Sequence, residues 1–258
     1  MRLIPRRRER PHDGTMSLVE HLDELRRRLV IIMIAVTLAS VAGLILYPRV
    51  LDFLVGPYRA ALRTLPPEVR PPGSFSEALV FNQVTEPFLQ FIKVGIFTGF
   101  LIALPVVLWQ LWAFVTPGLT ARERRLSIPF VVSSLILFGG GVVFAFVVTP
   151  RGLSFLIGFG GADLVPLVTI QNYLNFLIFL ILAFGISFEF PLVLVFLAGA
   201  RIITSAQMRK WRMYAYFGAL LFAAVITPTQ DPYTMLMMWV PLVLLYEAAI
   251  LVARLFKR

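Results

Sequence analysis

Three glutamates stand where a carboxylate can do chemistry only under particular conditions. Glu189 lies within Ala183 to Ala198, A-F-G-I-S-F-E-F-P-L-V-L-V-F-L-A, a run apolar enough to cross a membrane, two residues before Pro191. An ionised carboxylate near a bilayer centre costs at least about 2.5 kcal/mol, so this side chain has to face protein or water. One reading gives it an interhelical hydrogen bond, through Gln90 or Ser187, worth about 1 kcal/mol. The other makes it a polar patch that meets a partner's transmembrane helix or hydrates the bilayer locally. Glu24 and Glu123 lie instead at the edges of apolar runs, among Arg26, Arg122, Arg124 and Arg125. Two carboxylates presented together bind a pair of guanidinium groups bidentately, which lysines do not reproduce, so this pair suits a doubly cationic ligand.

Each of these residues also has a plain local role. Ser17 to Leu29, S-L-V-E-H-L-D-E-L-R-R-R-L, opens with capping-box spacing between Ser17 and Glu20. Leu18, Leu22, Leu25 and Leu29 form one narrow stripe opposite Glu20, Glu24 and Arg27, so the segment is expected to lie along a membrane surface. On that helix Glu24 pairs with Arg28 at i,i+4 as part of a solvated face. Thr120 and Glu123 repeat the capping-box spacing after the Pro117-Gly118 turn, which would make Glu123 the cap of the next helix.

The elements that carry these residues are membrane spans. The chain is 59% apolar and only 15% charged, against about 25% for a soluble domain, and its mean hydropathy is +0.83. Apolar segments at about 29–47, 88–109, 128–148, 173–200, 213–226 and 233–253 predict an all-α polytopic membrane protein with six spans. Residues 1–16 read as a disordered basic extension, 17–254 as the membrane domain and 255–258 as a tail. Met16 is an alternative start. Segments on one side of the membrane hold eighteen lysines and arginines, against five on the other, which places both termini in the cytoplasm.

Several functions are disfavoured. The net charge of +10 is gathered in clusters beside apolar runs, without aromatic interleaving or zinc spacing, which argues against nucleic acid. With no cysteine, and only His12 and His21, neither disulfides nor a metal centre is expected. Arg26 to Arg28 followed by an apolar run and Ser40-Val41-Ala42 mimics a cleavable export leader, but the run continues to Tyr47 and five more spans follow. An intramembrane hydrolase would need a base or a second acid beside Glu189. A proton-coupled small-solute transporter using Glu189 is the alternative function, although no internal repeat supports it.

Five motifs in register carry a resemblance: H-L-D-E-L-R-R-R-L, W-Q-L-W-A-F-V-T-P-G-L, R-E-R-R, F-G-I-S-F-E-F-P and I-T-P-T-Q-D-P. From about Ser17 to Arg254 the chain resembles TatC, the multispanning receptor subunit of the twin-arginine protein translocase. The resemblance implies a glove-shaped bundle of six tilted helices in the prokaryotic cytoplasmic membrane, not an enzyme and without cofactors. It implies binding of twin-arginine signal peptides of folded cargo at the cytoplasmic face. It further implies an oligomeric complex with the single-span partners TatA and TatB, driven by the proton-motive force. Glu24 and Glu123, with Arg26 and Phe114, match the family's signal-peptide site. Glu189 matches the acidic position of the fourth span and Pro57 the proline of the first outer loop. Asp231 falls on the acid of the last outer turn, with Thr227, Gln230 and Thr234 as polar partner contacts. That turn, Thr227-Pro228-Thr229-Gln230-Asp231, is one residue longer than the family's T-P-P-D.

Smaller expectations complete the picture. The fifth span is short enough to thin the bilayer beside it. Glu247 is expected to snorkel or to pair with Arg254 or Lys257, and Lys93 to reach the outer surface on the face of Glu86 and Gln90. Prolines in the loop from Pro48 to Thr85 limit it to short helices, and Pro87 marks the start of the second span.

Overall fold

The computed structural model describes residues 18–66, 79–115, 127–159, 167–226 and 232–255. Eight helices occur among them: α1 (Leu18–Ile45), α2 (Tyr47–Thr64), α3 (Glu86–Val115), α4 (Ser127–Gly158), α5 (Ile170–Gly199), α6 (Ser205–Lys210), α7 (Arg212–Ile226) and α8 (Pro232–Leu255). No strand pairs with another among the described residues beyond a single bridge, Val80 to Thr169. Five helices are long and apolar enough to cross a membrane: α1, α3, α4, α5 and α8. The fifth expected span, α7, is a shorter apolar helix.

The helices differ from the sequence expectation in length. Residues 18–29 do not form a separate surface helix but run without a break into the first span. Nothing in H-L-D-E-L-R-R-R-L stops a helix, and the Glu24–Arg28 pair spans the junction. The third span continues past Pro150 to Gly158, eight residues beyond the proline. The first part of the loop from Pro48 to Thr85 is one 18-residue helix that contains Pro57, with Pro48 in its first turn, while residues 67–78 lie outside the described residues. The second span begins at Glu86, with Pro87 in its first turn as expected. The start of α5 is capped by Thr169, whose side chain accepts from the Asn172 amide at 3.2 Å, and α6 carries a full capping box between Thr204 and Gln207.

Close helix contacts rest on small residues, the usual device where apolar burial offers no drive between helices. A Cβ at Gly99 would lie 2.4 Å from the Ser40 Cα, and one at Gly43 would lie 2.2 Å from the Gly95 carbonyl oxygen. The α1–α3 seam is therefore backbone against backbone. α4 and α5 meet in the same way, with Gly141 against the Phe184 carbonyl.

Contacts sort the helix ends into two groups. At one end the start of α1 meets the end of α3 through His21 and Phe114, and α3 meets α4 and α5 through Trp112, Phe130 and Phe196. The end of α8 joins the same layer, where Tyr246, Ile250 and Ala253 pack with Met208 and Val195. We call this the basic end: it carries Arg26 to Arg28, Arg201, Arg209, Lys210, Arg212 and Arg254. The first and last described helices thus begin and finish on one side. At the opposite end Tyr58 packs against Tyr173, whose hydroxyl donates to the Leu54 carbonyl at 2.5 Å. Glu86 staples that end, accepting from the Asn82 amide at 2.9 Å and the Gln171 amide at 3.0 Å. Pro57 is buried there within α2.

Candidate functional site

The last turns of α3 join the two regions that hold the described glutamates. Gln110 and Phe114 are four residues apart and share a helix face, while Trp112 projects from the opposite one. The Gln110 Oε1 accepts from Arg28 Nη1 at 3.1 Å, and the Phe114 ring stacks on His21 with centroids 4.3 Å apart. Both contacts go to α1. Trp112 turns the other way, its Nε1 donating to Ser134 Oγ at 2.8 Å. The motif W-Q-L-W-A-F-V is therefore a two-faced clamp between α1 and the α4–α5 pair.

Glu24 lies on α1 beside this clamp. Its Oε1 accepts from Arg28 Nε at 3.0 Å and from Arg28 Nη2, the i,i+4 pair expected from sequence. The carboxylate is only 18% exposed, and its second oxygen, Oε2, is buried with no hydrogen-bond partner among the described residues. Arg26 is exposed nearby on the same helix. Glu123 lies outside the described residues, as do Thr227, Gln230 and Asp231.

Glu189 is bound differently from expectation. Its Oε2 accepts from Ser134 Oγ on α4 at 2.7 Å, not from Gln90 or Ser187. The Ser187 hydroxyl is taken by the Ala183 carbonyl one turn earlier in its own helix, the common fate of a helical serine, so it has no proton left for a neighbour. Gln90 is buried, and its Oε1 has no hydrogen-bond partner among the described residues. Ser134 receives from Trp112 and gives to Glu189, so one fully buried hydroxyl links three helices. The Glu189 Oε1 has no hydrogen-bond partner among the described residues. Glu189 lies ten residues from Gly199, about 15 Å along α5 from the basic end.

The remaining candidates fall elsewhere. Thr234 is 1% exposed and lies against Gly152 of α4, so its side chain faces the bundle interior. Lys257 lies outside the described residues, and Glu247 does not pair with Arg254. It accepts from Arg212 and, at 2.5 Å, from the Tyr216 hydroxyl, both on α7, because α7 packs beside α8 while Arg254 lies two turns further along α8. Lys93 bonds Asn175 of α5 on the bundle surface, toward the end expected for it. Sequence reasoning missed Ser134, Trp112, Gln110 and the His21–Phe114 stack. A serine in an apolar span and a tryptophan near its end were the available signals, but neither names its partner.

Known proteins share this bundle of apolar helices. Residues 20–241 match the family described as Sec-independent protein translocase protein (TatC). The TatC of Frankia casuarinae is 41% identical over 257 residues, covering 98% of this chain and 70% of that protein. The TatC of Carboxydothermus hydrogenoformans is 35% identical, covering 95% of this chain and 96% of that protein. A crystal structure of the twin arginine translocase receptor TatC superposes with a TM-score of 0.74 at 37% identity, over 93% of this chain and 100% of that one. By motif, by identity along nearly its whole length and by fold, this chain belongs to the TatC family of protein translocase membrane subunits.

Proposed function

We propose that this chain is the receptor and core subunit of the twin-arginine translocase, lying in a prokaryotic cytoplasmic membrane with α7 as its fifth span and both termini in the cytoplasm. The basic end is then cytoplasmic, in keeping with the excess of lysine and arginine there. The observation that carries the reading is Glu24. A half-buried carboxylate with one oxygen held by Arg28 and the other without a partner among the described residues is an acceptor set in place before any ligand arrives. Leaving such an oxygen without a partner costs about 1–3 kcal/mol, and an incoming guanidinium removes that cost. Glu123, which follows the end of α3 in sequence, supplies the second carboxylate for the second arginine of a signal peptide. Phe114, ordered by His21, gives the apolar flank, and Arg26 borders the site.

Glu189 serves a second task. Its second oxygen, buried and without a hydrogen-bond partner among the described residues, turns toward a polar group on the transmembrane helix of a TatA- or TatB-type subunit as that subunit docks. Thr227, Gln230 and Asp231 contribute to the far end of that partner surface, and Thr234, buried behind it, supports it from within the bundle. The proton-motive force drives transport. The test is export of a folded twin-arginine cargo in a deletion strain carrying this chain. The expected result is export that stops on collapse of the proton gradient with ATP intact; export that continues, or no export of any such cargo, contradicts the reading.

A further inference from the structure

An apolar groove opens at the basic end between α5, α6, α7 and the last turns of α8. Leu194, Leu197, Met208, Trp211, Tyr214 and Ala215 line it, and its volume is about 490 Å³. The Tyr246 hydroxyl donates to the Met208 carbonyl at 2.7 Å, and the Gln207 Oε1 is engaged by Thr204 in the capping box of α6. The segment that supplies Ile203, Gln207, Met208 and Trp211 to its lining is cationic in sequence. The stretch from Arg201 to Arg212 holds four cations and no acid. Arg212 is matched by Glu247, whereas Arg201, Arg209 and Lys210 are exposed. Arg201 further holds a left-handed backbone, φ 59°, at the close of α5, a position that suits glycine and costs an arginine about 1–2 kcal/mol. Trp211 and Tyr214 are 52% and 78% exposed, side chains suited to the headgroup level of a bilayer.

From this charge and shape we infer that the groove binds one anionic phospholipid, an acyl chain lying against Leu194, Trp211 and Ala215 and the phosphate held by Arg209, Lys210 and Arg201. Basic recesses between membrane helices on the cytoplasmic side are a recognised seat for acidic headgroups. A second occupant, a partner's transmembrane helix, fits less well. A helix about 10 Å across fills roughly 420 Å³ per turn, so the groove seats about one turn of a spanning helix. The volume lies instead within the range of small-ligand pockets, roughly 300–1,000 Å³. The inference goes beyond the receptor reading and needs neither signal peptide nor partner subunit.

Trp211 lines the groove and reports its occupant. The protein is reconstituted in phosphatidylcholine vesicles containing a small fraction of brominated phosphatidylglycerol, or the same fraction of brominated phosphatidylcholine. The Trp211 signal is taken as the difference between wild type and Trp211→Phe. The anionic lipid should quench it at a concentration at least about tenfold lower, and Arg209→Gln and Lys210→Gln should each erode that preference about fivefold. Ala215→Phe, which fills the groove while leaving the cations, should abolish it. Because Arg209 and Lys210 are exposed, their variants report even if Ala215→Phe fails to fold. Equal quenching by the two lipids, or a preference that survives the charge variants, overturns the assignment. So does a preference untouched in a folded Ala215→Phe protein, which would mean a diffuse anionic layer without a seat. Cross-linking of position 215 to a single-span subunit in place of lipid would also overturn it.

Discussion

Gly99→Ala should detach α1 from the site it helps to build. The added Cβ would lie 2.4 Å from the Ser40 Cα and 2.5 Å from the Ser40 nitrogen, where ordinary contact begins at 3.4 Å. These are backbone atoms of a helix, so no rotamer change relieves them, and α1 has to retreat by about 1 Å. Only 6% of its span is buried, and the seam with α3 is its main attachment, so few other contacts oppose that retreat. Overpacking of this kind costs about 1–3 kcal/mol. The same movement stretches the 3.1 Å Arg28–Gln110 hydrogen bond toward 4 Å, beyond hydrogen-bonding range. Gly139→Ala is the control, since a Cβ there meets nothing within 4 Å and alanine is the better helix former by up to about 1 kcal/mol. Unfolding in detergent and signal-peptide cross-linking in membranes are measured for both. Gly99→Ala should lose stability and cross-linking together, and Ser40→Gly should not rescue it, because the clash is with the Ser40 backbone. If Gly99→Ala behaves like Gly139→Ala, the seam does not position the site.

Ser134→Ala should destabilise the bundle by about 1–2 kcal/mol, since Trp112 Nε1 and Glu189 Oε2 both lose their partner. In a double-mutant cycle with Glu189→Leu the coupling should be about 0.6–1.7 kcal/mol, and zero coupling would remove the hydroxyl bridge from the account. Glu86→Gln leaves one acceptor oxygen where two backbone amides are now served, so hydrogen exchange at Asn82 and Gln171 should speed up about tenfold while α8 is unaffected. α7 spans about 22 Å at 15 residues, against about 30 Å of hydrocarbon, so spin labels along it should report a thinned bilayer; normal thickness there would contradict the short-span reading.

Much of the helix pattern was legible in the sequence, because long apolar runs in a membrane protein leave the backbone few alternatives to helix. The errors came where a local signal met no tertiary need. Pro150 suggested an end to α4, yet the helix continues, since Ser154 bonds the Pro150 carbonyl and the neighbouring Ala61 carbonyl and Thr64 tie that region to α2. Leu18 to Leu29 has the stripe of a surface helix, but no breaker separates it from the span. The candidate glutamates were visible as charges out of place. Their partners were not, because Ser134 lies 55 residues from Glu189 and Gln110 lies 82 from Arg28, and periodicity says nothing about pairs so distant. Glu247 shows the same limit: the cations near it in sequence were the natural guess, and the one it meets is 35 residues away.

The central claim is that two carboxylates at the basic end recognise an arginine pair while Glu189 acts later, within the membrane. Its most direct test is photo-cross-linking of a twin-arginine signal peptide to this protein in membranes, comparing wild type with Glu24→Ala, Glu123→Ala and Glu189→Ala, and an arginine pair with a lysine pair. The account predicts that binding falls with either of the first two variants and with lysines, and survives Glu189→Ala while export stops. Equal binding of the lysine peptide, or undiminished binding without Glu24 and Glu123, would contradict it and return both glutamates to helix caps and ion pairs.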